Sequence, residues 1–333
     1  MSSLPENSAI TISHLIKDFR INESKPGFLG ALGGLFSRNY RIKRALDGIS
    51  LDIKKGDFVG YVGENGAGKS TTIKILTGIL VPTSGEARVN GLVPYENRIE
   101  NAKRIGVVFG QRTQLWWDLP VRESFDLLQA IYQIPEAVFR KNLADLGETL
   151  GLSDLLSVPV RKLSLGQRMR CDIVASLLHE PEILFLDEPT IGLDLLAKDA
   201  IRKFLKKINE ERRTTILLTT HDMEDIEYLC RRIVILDEGK ILFDGLREDL
   251  KNFYGRDRVM EVEFQEENPV LKWENGMRVI REESRKKWIA FDRTAHSASE
   301  VISFVVNQAP VKDIFLHEAR VADIVKSIYE KIP

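Results

Sequence analysis

"GENGAGKST", Gly63 to Thr71, follows the apolar run "FVGYV" and leads into "TIKILTGIL". It satisfies the P-loop pattern, with Gly63, Gly68, Lys69 and Ser70 in register. A buried strand, a glycine-rich turn and then a helix is the layout that phosphate capture requires. Glycines let backbone N–H groups curl inward, and the following helix directs its partial positive end at the same point. Gly63, Glu64, Asn65, Gly66, Ala67, Gly68, Lys69, Ser70 and Thr71 are therefore the nucleotide-binding candidates. Lys69 would reach the β- and γ-phosphates, and the Ser70 hydroxyl would ligate Mg2+.

The second half of such a site is "EILFLDEPT". Ile183 to Leu186 read as a buried strand ending at Asp187, whose carboxylate would lie beside the P-loop in a parallel sheet and hold Mg2+ through water. Glu188 would point into the same cleft and take a proton from an attacking water, or orient it.

From Ile10 to about Gly245 the pattern is mixed. "DFVGYVG", "RIGVVFG", "EILFLDEP", "TTILLTTH" and "RIVILDEGKIL" are apolar almost throughout and predict strands covered on both faces. Longer amphipathic stretches alternate with them, so the expected class is α/β, a mostly parallel sheet flanked by helices. No comparable strand occurs between Leu119 and His179, which predicts a helical subdomain over about 112–180. Beyond "GLREDLKNFYGRD" the character changes to half-exposed strands, a hairpin and two helices, a small α+β domain over about 256–333.

The totals narrow the function classes. A chain of 333 residues suggests about two domains. Its net charge of −1 gives no support to a broad nucleic-acid surface, so no nucleic-acid partner is expected. Cys171 and Cys230 lie far apart in apolar contexts and read as buried structural residues. Met1 to Ser8 is polar and contains Pro5, unlike a secretory signal, and no run reaches the roughly 20 apolar residues that span a bilayer. The chain is therefore expected to be cytosolic.

"KLSLGQRMR", Lys162 to Arg170, precedes Asp187 by about the distance that separates a Leu-Ser-Gly-Gly-Gln signature from the second acidic motif in one family. Over about Ile10 to Gly245 the chain resembles the ATP-binding subunit of an ABC transporter. Gln111 in "VVFGQ" matches the Q-loop glutamine, Asp194 in "PTIGLD" the D-loop, and His221 in "LLTTHD" the switch histidine, all in family order. The resemblance implies an ATPase with a P-loop core, using ATP and Mg2+. It also implies a head-to-tail dimer with a second copy or a close paralogue. Each ATP would lie between one subunit's P-loop and the other's signature. Ser164 and the Gly166 backbone, with Gln167 beside them, would meet the γ-phosphate from across the interface. His221 would bond that phosphate and position water, Gln111 would sense Mg2+ and water, and Asp194 would sit at the shared pocket. The signature departs from the pattern at Leu165, where leucine disfavours a left-handed backbone, so an ordinary β or α conformation is expected there. Tyr40, 29 residues before Lys69, is the favoured adenine-stacking residue, with Phe19 the alternative if the stretch after it is an insertion.

Against the family pattern, about 22–39 is extra. "PGFLGALGGLFSRNYRIKR", Pro26 to Arg44, places Phe28, Leu29, Leu32, Leu35 and Phe36 on one helical face. Six basic residues less one acid give +5 between Arg20 and Arg44. A short interfacial helix with a basic flank suits anionic lipid or a permease's cytoplasmic edge. "QLWWDLP" adds Trp116 and Trp117, anchors of the kind enriched at interfaces. Similar insertions occur in ABC ATPases that pair with type 2 exporter permeases, the branch that handles drugs, lipids and polysaccharides. The implied function is thus ATP hydrolysis powering export through a separate transmembrane permease, and the implied location is the cytoplasmic side of the cell membrane, peripheral and held through that permease. The alternative is an ABC ATPase acting on nucleic acid or the ribosome. Chromosome-binding members carry long coiled coils and translation-linked ones two cassettes, and this chain has neither.

Overall fold

The computed structural model describes residues 7–22, 40–110, 112–254, 257–272, 276–292, 294–317 and 321–330. The chain divides into two compact units, Met1–Asp244 and Gly245–Pro333.

In the first unit the uniformly apolar runs become covered strands. β3 (Phe58–Gly63), β6 (Ile183–Asp187), β7 (Thr215–Thr219) and β8 (Arg232–Asp237) are buried along nearly their whole length. With β5 (Ile105–Phe109) and β9 (Lys240–Leu246) they form a six-stranded sheet of order β5-β6-β7-β3-β8-β9. The pairs β5/β6, β6/β7, β7/β3 and β3/β8 are all parallel. The carboxyl ends of β3, β6 and β7, at Gly63, Asp187 and Thr219, therefore emerge along one edge, where open α/β sheets bind ligands.

Three further segments build an antiparallel sheet of order β2-β1-β4, from β1 (Ser8–Asn22), β2 (Tyr40–Lys54) and β4 (Ser84–Val89). Its Ile10, Ile12, Leu15, Leu46, Ile49 and Leu51 join Ile73, Ile75 and Leu76 of α1 (Lys69–Leu76) in one buried cluster. Tyr61, Phe185, Leu217 and Val234 of the parallel sheet complete that cluster. The helix behind the glycine loop is thus packed into the core shared by both sheets.

After α2 (Arg98–Arg104) and β5, the chain between two neighbouring strands of the sheet is helical. It forms α3 (Val121–Tyr132), α4 (Glu136–Thr149) and, after a short 3-10 turn, α5 (Leu165–Leu177). Both α3 and α4 pack on α5, and Phe125, Phe139, Leu143 and Leu146 are buried. α6 (Leu195–Arg212) and α7 (Met223–Leu229) follow β6 and β7.

The second unit begins with α8 (Arg247–Tyr254) and holds a four-stranded sheet of order β11-β12-β10-β13. Its strands are β10 (Asp257–Phe264), β11 (Met277–Glu283), β12 (Lys286–Asp292) and β13 (Val311–His317). Met260, Val262 and Phe264 alternate inward to meet Val301 and Val305 of α9 (Ala298–Val306). Glu261 and Glu263 alternate outward and pair with Lys286 and Lys312. α10 (Val321–Glu330) packs against α8. The apolar insertion, 23–39, and Gln111 lie outside the described residues.

Candidate functional site

Gly68 caps α1 with φ 111°, a backbone that L side chains rarely adopt. A Cβ there would lie 2.6 Å from Leu46 Cδ2 and 2.7 Å from the Ala45 carbonyl oxygen, so only glycine fits. The loop is closed by the Ala67 N–H donating to Glu64 O (3.1 Å) and the Gly239 N–H donating to Ala67 O (3.0 Å). The first N–H groups of α1 have no acceptor within the helix and point to the loop. The Lys69 ammonium lies inside the turn and donates to the carbonyl oxygens of Gly63 (2.6 Å) and Glu64 (2.9 Å). Lys69 is buried, and burial lowers its pKa against the pull of Glu188, Asp187 and Glu64. A cation held by two neutral carbonyls in a dry turn can exchange them for an anionic phosphate.

Asp187 Oδ1 accepts from Ser70 Oγ (3.2 Å) and Thr219 Oγ1 (2.5 Å). A hydroxyl and a carboxylate are the hard oxygen donors that suit Mg2+. Among the described residues no group of three or more His, Cys, Asp or Glu side chains could hold a metal ion. The next residue, Glu188, has φ 56°, a strained backbone for a side chain of this size. Its surroundings enforce it: Glu188 N donates to Thr219 O (2.9 Å) and Gly110 N to Asp187 O (2.7 Å). A Cβ on Gly110 would stand 2.1 Å from the Glu188 carbonyl oxygen. The Glu188 carboxylate then lies 3.5 Å from His221 Nδ1, and the His221 side chain is 61% exposed. Carboxylate and imidazole face the solvent side of the cleft, as activation of a water requires.

His221 is braced from behind. The Thr220 hydroxyl donates to Asp225 Oδ2 (3.3 Å) and accepts from Asp222 N (2.9 Å). The fully buried Asp225 also takes Arg202 Nε at 2.5 Å and the Thr190 hydroxyl. Lys198 Nζ reaches Asp222 Oδ2 at 2.6 Å. This cluster joins the segment after β6, the helix α6 and the turn that carries His221.

The second group of motif residues surrounds the amino ends of α5 and α6. Ser164 caps α5: its hydroxyl accepts from Gln167 N (3.2 Å), and Gln167 Oε1 accepts from Ser164 N (2.9 Å). Leu165 is the first helical residue and is not left-handed, as its branched side chain led us to expect. Its Cδ2 reaches within 3.0 Å of the ideal Cβ position on Gly192, and the same construction at Gly166 falls 3.3 Å from Ala197 Cβ. Asp194 caps α6, accepting from Ala197 N at 2.9 Å. Leu195 and Leu196 follow it, 71% and 82% exposed.

Beside Glu64–Ala67 lies a cavity of about 550 Å3, lined also by Lys43, Arg44, Asp47, Asp237, Glu238 and Lys240. A cavity of similar size, about 570 Å3 between Lys55, Glu182 and Arg212, holds none of the motif residues. Tyr40 does not line the first cavity. It pairs with Asn22 at the far end of the β1–β2 ribbon, its ring 5.0 Å from the Arg20 guanidinium. Lys43 does line it, and the residue directly opposite Lys43 is Phe19.

Residues 46–191 match the family described as ABC transporter. The ABC transporter ATP-binding protein NatA of Bacillus subtilis (strain 168) is 32% identical over 215 residues, 65% of this chain and 87% of that protein. The chain belongs to the ABC transporter family. This ABC ATPase is also similar to the linearmycin resistance ATP-binding protein LnrL of the same strain, 34% identical over 223 residues, 67% of this chain and 71% of that one. The ATP-binding cassette MJ0796, solved as a dimer in a post-hydrolysis state with ADP and Pi, matches with TM-score 0.59 at 28% identity, covering 71% of this chain and 98% of that one. The chain is accordingly the ATP-hydrolysing subunit of an ABC transporter.

Within the ABC ATPase, Gly63, Gly68, Lys69, Ser70, Asp187, Glu188 and His221 gather along one edge of the sheet. Ser164, Gly166, Gln167 and Asp194 gather around the contact between α5 and α6. Gln111 falls outside the described residues, directly after Gly110. Sequence reading missed Thr219, the donor closest to Asp187, although a hydroxyl ending the apolar run "TILLT" is a signal for it. It also missed Gly110, whose lack of a side chain lets the Glu188 turn approach.

Proposed function

We propose that this ABC ATPase hydrolyses ATP in pockets completed between two copies of the chain, or a copy and a close paralogue, and so drives export through a separate permease. The observation that carries the reading is the division of the motif residues. The cavity at the P-loop is lined by its own half alone, and among the described residues none of 163–170 reaches it. The dimeric state of the MJ0796 cassette supports the same arrangement.

In this reading Lys69 and the N–H groups at the start of α1 hold the β- and γ-phosphates. Ser70 and Asp187 would hold Mg2+, which would supply neutralisation of the phosphate charge. Glu188 takes the proton of the attacking water, His221 keeps that water and the γ-phosphate aligned, and Gln111 reports their presence. Ser164 and the Gly166 N–H reach the γ-phosphate of the other copy, with Gln167 holding the turn and Asp194 at the shared boundary. Phe19 replaces Tyr40 as the adenine platform. Opposed residues of an antiparallel pair share a face, so Phe19 lies on the face of Lys43, which lines the cavity. Tyr40 is three residues farther along, roughly 10 Å of extended chain.

Export is supported by the relative named for linearmycin resistance. Docking to a permease is supported by exposed apolar side chains of the helical subdomain, Trp116 and Trp117 and, one turn apart on α3, Leu127 and Ile131. No described helix is long and apolar enough to cross a membrane. Attachment to the cytoplasmic face goes through the permease, helped by the apolar insertion at about 22–39 and its basic flanks. The test is Glu188→Gln. It should lower ATP turnover by about 10²–10⁴-fold, the usual worth of a general base, while gel filtration in ATP shows a stable dimer. Unchanged turnover would remove Glu188 from its role, and a variant that stays monomeric in ATP would remove the shared pocket.

A further inference from the structure

Asp172 lies on α5, eight residues behind Ser164, and is 4% exposed. Burial raises its pKa to about 6, against the bonds it accepts from Thr113 and Gln114. A carboxylate is costly to bury, and Asp172 sits in a stretch of α5 where Ile173, Val174 and Ala175 are also buried. What the carboxylate adds is a set of directed bonds. Its Oδ1 accepts from the Thr113 hydroxyl (2.8 Å) and the Gln114 N–H (3.1 Å). The Gln114 Nε2 bond to the main-chain carbonyl of Asp172 (2.9 Å) does not depend on the side chain.

Those donors occupy a particular place in the chain. Thr113 and Gln114 come two and three residues after Gln111 and just before Trp116 and Trp117. The Thr113 hydroxyl also accepts from Leu115 N (3.1 Å), and Trp116 N donates to Ser124 Oγ of α3 (3.2 Å). The buried Asp172 side chain thus joins the stretch leaving Gln111 to the helix carrying the signature, and Ser124 joins the base of the tryptophan pair to α3. A cavity of about 230 Å3 adjoins the junction, between Val107, Phe109, Arg112 and Asp172, so the segment has room to shift. α5 runs without a break from Leu165 to Leu177, and eight residues of helix place Ser164 roughly 12 Å from Asp172 on one rod.

We infer that Asp172 is a positioning residue, tying the segment after Gln111 to the signature helix so that nucleotide in one pocket sets the position of Ser164 in the other. The inference rests on the shared-pocket reading above. Its consequence is a division of effects: breaking the tie leaves ATP capture by a single copy intact and slows turnover by the pair.

The full chain with Asp172→Ala, Asp172→Asn or Thr113→Val separates this role from a purely structural one. Asp172→Ala should bind a fluorescent ATP analogue within twofold of wild type, because the P-loop is untouched, and lose about tenfold in kcat. Asp172→Asn keeps an Oδ1 acceptor for both donors and should retain kcat within about twofold, with Thr113→Val between the two. Three results would overturn the inference: normal kcat in Asp172→Ala, an equal loss of analogue binding and kcat, or Asp172→Asn as slow as Asp172→Ala. Wild-type chain without ATPase activity would instead overturn the functional reading. Asp172 is then judged by hydrogen exchange at concentrations where the chain is monomeric. ATP should protect 112–118 and 163–170 together in wild type and only 112–118 in Asp172→Ala; identical responses sink the tie.

Discussion

The phosphate loop and the signature turn both present donors at the amino end of a helix, yet the chain supports them differently. Around the loop, every group is held by its own subunit: Lys69 by two carbonyls, Ser70 by Asp187, and Asp187 by Thr219. Around the signature, Ser164 is exposed and, among the described residues, its hydroxyl is satisfied by its own capping box. A cap is worth about 1 kcal/mol, whereas a hydrogen bond to a charged phosphate is worth about 1.5–3 kcal/mol. A γ-phosphate brought by a second copy can therefore displace the cap. On the proposed reading the loop captures nucleotide unaided and the signature is completed by the other copy.

Substitution of one residue on each side tests that contrast most strongly. Lys69→Ala should weaken binding of a fluorescent ATP analogue to the single chain by up to about 100-fold, the worth of a charged hydrogen bond, and abolish measurable turnover. Ser164→Ala should leave single-chain binding within twofold and lower kcat by about 10²-fold, as loss of one transition-state donor does. If Ser164→Ala weakened single-chain binding as much as Lys69→Ala, the division between the halves would be wrong. The Ser164 variant should also lose about 1 kcal/mol of stability with its cap, visible as a lower urea midpoint at unchanged slope.

The two halves also differed in how openly the sequence spelled them. The loop, Asp187 and Glu188 follow from short-range pattern, since strand, turn and helix are contiguous there. The parallel strands were equally plain, because two-sided burial leaves runs without polar interruption. The β2-β1-β4 sheet was hidden by a slip in period: Ile10 and Ile12 face the core, then Ser13 and His14 intervene and Leu15 is the next buried residue. His14 takes φ 46° at that irregularity, so alternation breaks within one strand. Tyr40 rests on counting back from Lys69, and such a count carries no information on the β1–β2 ribbon, whose far end holds Tyr40 away from the cavity at Glu64–Ala67. Asp172 and Asp225 meet Thr113 and Thr190 across 59 and 35 residues, and no local pattern carries such pairings.

A smaller effect sharpens the contrast electrostatically, because a carboxylate shifted toward its neutral form sits on the signature helix. The pKa of Asp172 is raised in the fold from 3.8 to about 6. A raised carboxyl pKa means the folded state holds the proton more tightly than the unfolded one. The stability so contributed is fully present below about pH 4 and lost as pH rises through about 6, a change of about 3 kcal/mol at most for two units. Asp172→Asn should remove this slope. The unfolding free energy of the variant minus that of wild type should therefore rise between pH 4 and 6 and level off above, with contributions from other carboxylates cancelling. A difference independent of pH would mean that Asp172 titrates normally and that its burial costs little.

The least disruptive probe addresses the one departure in the signature itself. Leu165→Gly restores the pattern of the family, and what it removes is local: a side chain packed toward Gly192, whose own φ is 69°. Glycine at the first helical position costs up to about 1 kcal/mol of helix stability, and the lost packing adds a fraction more. The phosphate-facing groups are unchanged, since Ser164 still caps and Gly166 keeps its N–H. Turnover within threefold of wild type and a urea midpoint slightly lower are expected. A tenfold change in kcat in either direction would show that the packing of Leu165 toward Gly192 sets how Ser164 and Asp194 are presented together, and the signature turn could then no longer be treated as self-supporting.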